Sequence, residues 1–188
     1  MMKAGISVTD IGFVSTPTFY WSMYHLGADG GLMVTGSHNP KEFNGLKVAY
    51  DKATLWGDDI REIMRIIKED RMVTADDPGS LRFAGINEEY LDMLVSKIKL
   101  GPRKPKIVCD SGNGTAGIYA PEFLRRIGCD VAELYSEPDG TFPNHHPDPT
   151  KRENLPKLIE TVLAEGADLG VGFDGDSDRI GVVDDRGE

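Results

Sequence analysis

Apolar and polar residues along this chain fall into short blocks whose repeat switches between two and three-to-four positions. Residues 6–14, ISVTDIGFV, are rich in β-branched side chains and predict a strand. Residues 16–27, TPTFYWSMYHLG, predict a helix with Pro17 in its N1 position and Gly27 as its stop. The run GGLMVT over 30–35 predicts a short buried strand, and GLKVAY over 45–50 another. In DDIREIMRIIKED, 58–70, Ile60, Ile63, Met64 and Ile67 recur at helical spacing. The pattern then lapses. TADDPGSLRFAGIN, 74–87, carries a proline and two glycines without a helical period, which places a domain boundary within it.

A second α/β unit is expected beyond that boundary. NEEYLDMLVSKIK, 87–99, reads as a capped helix with Tyr90, Leu91, Leu94, Val95 and Ile98 on one face. The strand PKIVCDS ends in GNGTAG, whose glycines allow a tight turn into the helix IYAPEFLRRIG. The strand CDVAELY, the loop SEPDGTFPNHHPDP, the helix NLPKLIETVLAEG and the strand ADLGVGF follow. Strands alternating with helices argue for a parallel sheet covered by helices on both faces. The G-N-G turn is not a dinucleotide fingerprint: GxGxxG is incomplete, and no acidic residue about 20 positions on ends a second strand.

Composition narrows the classes of function. The 188 residues are 39% hydrophobic, enough for packed cores, and the formal net charge of −10 argues against a nucleic-acid partner. No apolar run approaches the roughly 18 residues of a membrane span, and MMKAGISVTD has no apolar core with a cleavage site, so no membrane partner and a cytoplasmic location are expected. Cys109 and Cys129 lack CxxC spacing and are expected to be buried thiols. MMKAG resembles the last turn of a helix, and IGVVDDRGE a strand and turn without a returning strand, so the chain is expected to be part of something longer.

Two stretches carry candidate chemistry. In MVTGSHNP, 33–40, an apolar run stops at a glycine, and Ser37 then follows beside His38 and Asn39 on a backbone that Pro40 stiffens. Taken alone, Ser37 would serve as a turn or helix cap. In FDGDSDRIGVV, Asp174, Asp176 and Asp178 alternate with small residues directly after an apolar strand, where open α/β folds bind ligands. Three converging carboxylates repel unless a cation lies among them, and their hard oxygens suit Mg²⁺, with Mn²⁺ as the alternative. An EF-hand is excluded, because its sixth and twelfth loop positions are Arg179 and Asp185 here. The bland alternative is an Asx-rich turn without an ion. Together the stretches supply a nucleophile and a charge-neutralising cation, as phosphoryl transfer through a phosphoserine requires.

These residues resemble the α-D-phosphohexomutases. TGSHNP is similar to the family's phosphoserine loop and DGDSDR to its metal loop; FNGLKV, CDSGNGTAG, FPNHHPDP and ADLGVGFDGD extend the likeness over essentially the whole chain, nearest the bacterial phosphomannomutase/phosphoglucomutase branch. Position 177 is Ser where that branch usually has Gly. The resemblance implies an α/β fold of two three-layer domains with mixed, mostly parallel sheets. Residues 1–80 would be the later part of an incomplete first domain, and residues 83–188 the second domain. It implies interconversion of hexose 1-phosphate and 6-phosphate, mannose or glucose, through a hexose 1,6-bisphosphate. Ser37 would carry the phosphoryl group, with Mg²⁺ held by Asp174, Asp176, Asp178 and a phosphoserine oxygen. Lys47 would belong to the acid–base apparatus and Arg179 would offer a cationic fork, both touching the sugar phosphate. His38 is the remaining catalytic candidate, though it and Asn39 are expected chiefly to shape the loop. Without the resemblance Lys47 would read as a solvated lysine at a strand edge. His145 and His146, adjacent on an extended chain, point opposite ways and are expected to be loop or domain-contact residues, not metal ligands.

The resemblance implies that the family's sugar-recognition and distal phosphate-binding regions are absent from these 188 residues, so the chain alone is expected to bind metal but to be inactive as a mutase, with exposed strand edges through which it could oligomerise. A Mg²⁺-dependent sugar-phosphate phosphatase or kinase could use the same serine and metal, and a non-catalytic binding module is the remaining alternative.

Overall fold

The computed structural model describes residues 1–188 as two α/β units. In the first, β1 (Val8–Asp10) leads into α1 (Thr16–His25), then β2 (Gly30–Val34), β3 (Leu46–Tyr50), β4 (Ala53–Thr54) and α2 (Asp58–Lys68). Helix α1 begins where it should: the Ser15 side chain accepts from the Thr18 N–H, and Pro17 occupies the first turn. Its Phe19 and Met23 pack with Val14, Met33 and Ala49, which sets α1 against one face of the antiparallel β2–β3 pair.

The segment expected to be only a boundary holds β5 (Leu81–Phe83), which pairs parallel with β1. Three residues are too few for an alternation to show, which is why the sequence pattern hides it. Helix α2 forms as its period predicts, yet it buries no residue, and Ile60, Met64 and Ile67 remain exposed.

The second unit is a three-layer domain. Its sheet runs β7 (Asp130–Leu134), β6 (Lys106–Asp110), β8 (Leu169–Phe173), β9 (Ile180–Asp184), with β9 antiparallel to β8 and the others parallel. Alternate residues of β6 face opposite layers, as a pleated strand demands. Val108 packs under Leu158 and Val162 of α5 (Pro156–Glu165), whereas Ile107 and Cys109 face the layer holding Leu124 of α4 (Ala120–Arg126). Burial of each such side chain contributes about 1.5–3 kcal/mol. Both cysteines are free and buried. No helix is long and apolar enough to cross a membrane.

Helix α3 (Asn87–Lys97) lacks the side-chain cap its sequence suggests. Ile86 occupies the cap position, and the Asn87 amide oxygen instead accepts from the Tyr119 hydroxyl at 2.9 Å. Tyr90, Leu91 and Tyr119 form a cluster with Trp21 of α1, so α3 ties the units together. A backbone bond from the Thr16 N–H to the Asp176 carbonyl at 2.9 Å makes a second tie, beside the two chemical loops.

Candidate functional site

The loop after β2 and the loop after β8 meet face to face. Ser37 takes a left-handed φ of 51°, fixed by a bond from its N–H to Thr35 Oγ1 at 2.9 Å. That turn aims the hydroxyl across the gap, where Ser37 Oγ donates to Asp174 Oδ2 at 2.8 Å. The close approach requires Gly175, since a Cβ there would lie 2.2 Å from the Ser37 carbonyl oxygen. Asp174 is itself rigid, because its Oδ1 accepts the N–H groups of Asp178 and Arg179, each at 3.0 Å.

The structure brings every sequence-predicted site residue into this place. Asp176 is buried; its Oδ2 accepts from Thr16 Oγ1 at 2.8 Å and Thr35 Oγ1 at 3.1 Å. Lys47 lies opposite Met33 in the β2–β3 register, and its ammonium stands 2.9 Å from Asp176 Oδ2 and 2.5 Å from Asp178 Oδ2. Arg179 reaches Asp174 Oδ2 through Nε at 3.1 Å and Nη2 at 2.8 Å, and Nη2 also lies 3.4 Å from Ser37 Oγ. The same Nη2 donates to His38 Nδ1, which holds the imidazole beside the serine.

Charges compensate closely. Burial would raise the Asp176 carboxyl, but bonds from Lys47 and Thr16 outweigh it and hold its pKa below the ordinary value. Burial would lower the Lys47 ammonium, yet hydrogen bonds to Asp178 and Asp176 raise its pKa above normal, so it stays charged at neutral pH. Burial would likewise lower the Arg179 pKa, but the hydrogen bond to Asp174 and that carboxylate's charge outweigh it and raise the value above normal.

The three Asp side chains present oxygens within 4.8 Å of one another, and Asp176 Oδ1 is buried with no hydrogen-bond partner. An orphaned, desolvated carboxylate oxygen among hard donors fits a small divalent cation.

Sequence reasoning missed three supporting residues. Thr16 and Thr35 brace Asp176, and buried Asp148 accepts from Arg179 Nη1 at 3.5 Å. Only Thr35, next to the Gly36-Ser37 turn, carried a local signal. The two histidines do point apart: His145 contacts Asp110 on β6, while the His146 ring lies edge-on 6.4 Å from that of His38.

The chain is similar to known proteins over its whole length. Residues 1–74 match phosphoglucomutase/phosphomannomutase alpha/beta/alpha domain I, and residues 88–187 match domain II. A phosphomannomutase/phosphoglucomutase of Pseudomonas putida is 42% identical over 187 residues, covering 100% of this chain and 40% of the relative. A phosphoglucomutase of Neisseria gonorrhoeae is 43% identical over 183 residues, 97% of this chain and 40% of the relative. A crystal structure of a family protein from Burkholderia thailandensis superposes with a TM-score of 0.93 at 39% identity, covering 100% of this chain and 42% of that one. The chain thus spans about 40% of the length of these curated relatives, and with both domain matches in place it belongs to the phosphoglucomutase/phosphomannomutase family.

Proposed function

We propose that this chain carries the phosphoryl-transfer centre of a hexose-phosphate mutase, with Ser37 as the group that accepts and returns the phosphoryl. The observation that carries the reading is the 2.8 Å contact of Ser37 Oγ with Asp174 Oδ2, made beside Arg179 and an oxygen-only donor set. Relatives named phosphomannomutase/phosphoglucomutase supply the substrate class, a hexose 1-phosphate or 6-phosphate.

In this reading phospho-Ser37 gives its phosphoryl group to the free hydroxyl of the sugar phosphate: the P–Oγ bond breaks, a P–O bond to the sugar forms, the hydroxyl loses its proton while the freed Ser37 Oγ gains one, and a hexose 1,6-bisphosphate results. Return of the other phosphoryl group to Ser37 completes the exchange. Asp174, Asp176, Asp178 and a phosphoserine oxygen would hold Mg²⁺, which would supply charge neutralisation when bound. Lys47, charged at neutral pH, is the acid form of the acid–base apparatus, and Arg179 is a fixed donor beside the Ser37 oxygen. His38, accepting from Arg179, orients that donor.

The test is to incubate the chain with glucose 1,6-bisphosphate and Mg²⁺ and follow intact mass. One phosphate added at Ser37, and none in Ser37→Ala, is expected. Addition at another residue, or none, overturns the reading; steady release of inorganic phosphate from hexose 1-phosphate would assign a phosphatase instead.

A further inference from the structure

The loop between β7 and α5 hangs over the serine without contributing a catalytic group. Its Phe142 and Gly140 line, together with Ser37 and Asn39, a cavity of about 910 Å³. Its C-terminal end supplies Asp148, which holds Arg179, and His146, which faces His38. Whatever fixes this loop therefore fixes the surroundings of Ser37.

His145 is the strongest anchor. Nε2 lies 3.1 and 3.0 Å from the two carboxylate oxygens of Asp110, and Nδ1 lies 3.0 Å from the His146 carbonyl oxygen. Both ring nitrogens thus face acceptors. A neutral imidazole has one N–H and can satisfy only one of them, whereas an imidazolium satisfies both. Asp110 adds to the demand, being 1% exposed at the end of β6, with the Gly112 N–H at 2.9 Å as its other donor. A carboxylate buried to that degree needs a cation, and His145 is the one that pairs with it. The approach is close: Gly112, at a φ of 53°, would place a Cβ 3.5 Å from the His145 ring. The Tyr135 ring packs edge-on at 5.4 Å, so Asp110 and Tyr135 are the titratable groups facing the imidazole.

We propose that His145, held as an imidazolium by Asp110, is a positioning residue that latches residues 136–149 over Ser37 and, through Asp148 and His146, sets the orientation of Arg179 and His38. The latch holds at neutral pH. The hydrogen bond to Asp110 raises the His145 pKa above its ordinary value, so the charge pairing and one of the two ring contacts are lost only as pH rises through that raised pKa. A bond from the Asn144 amide to Asn113 Oδ1 at 2.7 Å is a second, pH-independent tether, so release loosens the loop without detaching it. The catalytic consequence rests on the reading of Ser37 as the reacting group, but the latch itself does not.

The experiment therefore reads the loop and not turnover. Side-chain NMR of the 188-residue chain across neutral and alkaline pH follows the His145 ring, the Phe142 ring and the Arg179 Nε–H. The expected result is a His145 midpoint above that of free histidine, with a step in the Phe142 and Arg179 signals at the same midpoint. In Asp110→Asn, the His145 midpoint and both steps should move down together, which separates this histidine from His38 and His146. In His145→Gln, whose amide can still donate to Asp110 and preserve the fold, the steps should vanish. A His145 midpoint at or below the free value, or Phe142 and Arg179 signals indifferent to it, overturns the proposal while leaving the phosphorylation of Ser37 a separate question.

Discussion

Ser37 and Asp174 are 137 positions apart in sequence and 2.8 Å apart in space, joined by a hydrogen bond from the serine hydroxyl to the carboxylate. Neither loop makes the site alone. Asp176 extends the relationship, since its one braced oxygen binds Thr16, Thr35 and Lys47 while the other is buried without a partner.

That orphaned oxygen gives the first prediction. Asp176→Asn keeps the shape and an acceptor for Thr16 and Thr35 but removes a negative charge from the cluster, so Mg²⁺ affinity of the chain should fall by at least about tenfold. Calorimetric titration measures it. Affinity equal to that of the unaltered chain would place the ion elsewhere.

Ser177 supplies the second. It adopts a left-handed φ of 63° where a glycine would be unstrained, and its hydroxyl bonds Thr115 Oγ1 at 2.8 Å. Ser177→Ala keeps the strain and strands the Thr115 hydroxyl, at a cost of about 1–2 kcal/mol. Ser177→Gly loses the same bond but relieves roughly 1 kcal/mol of strain, so it should be the more stable of the two. Urea unfolding of both variants decides the order, and an alanine variant as stable as the glycine one would refute it.

These cases mark what the sequence could disclose. Ser37, Asp174, Asp176 and Asp178 were legible because each sits in a contiguous loop whose residue types have few other uses together. Lys47 was legible only through the resemblance, since a strand lysine has no local signature. Thr16 and Asp148 were not, because their roles come from contacts 160 and 31 positions away that no periodicity encodes. The apolar stripe of α2 shows the opposite limit. Its spacing specified a helix but not what, if anything, would cover that face.

The thiols provide the third prediction. Burial pushes the Cys109 thiol up to about 12, and burial also raises Cys129, so neither offers thiolate at pH 8. A thiol-specific chromogenic reagent should find no fast-reacting group in the folded chain and two after denaturation. A fast native reaction would mean that one of these strands opens readily.

The last prediction tests whether the two loops work only as a pair. Gly175 is needed for contact and not for backbone freedom: a Cβ there would stand 2.2 Å from the Ser37 carbonyl oxygen and 3.1 Å from its carbonyl carbon. Backbone cannot yield as a side-chain tip does, so Gly175→Ala must separate the serine loop from the aspartate loop by roughly 1 Å, enough to cost about 100-fold in a reaction governed by positioning. The cores lie elsewhere, around Met23 in the first unit and Val108 in the second, so each unit should keep its fold. Gly101→Ala, where a new Cβ meets nothing within 4 Å, is the matched control. Phosphorylation of Ser37 by glucose 1,6-bisphosphate should slow about 100-fold in Gly175→Ala and stay unchanged in Gly101→Ala, with urea midpoints of both near that of the unaltered chain. Full-rate phosphorylation in Gly175→Ala would mean that the serine reacts without the Asp174 contact, and the centre would have to be sought on one loop alone.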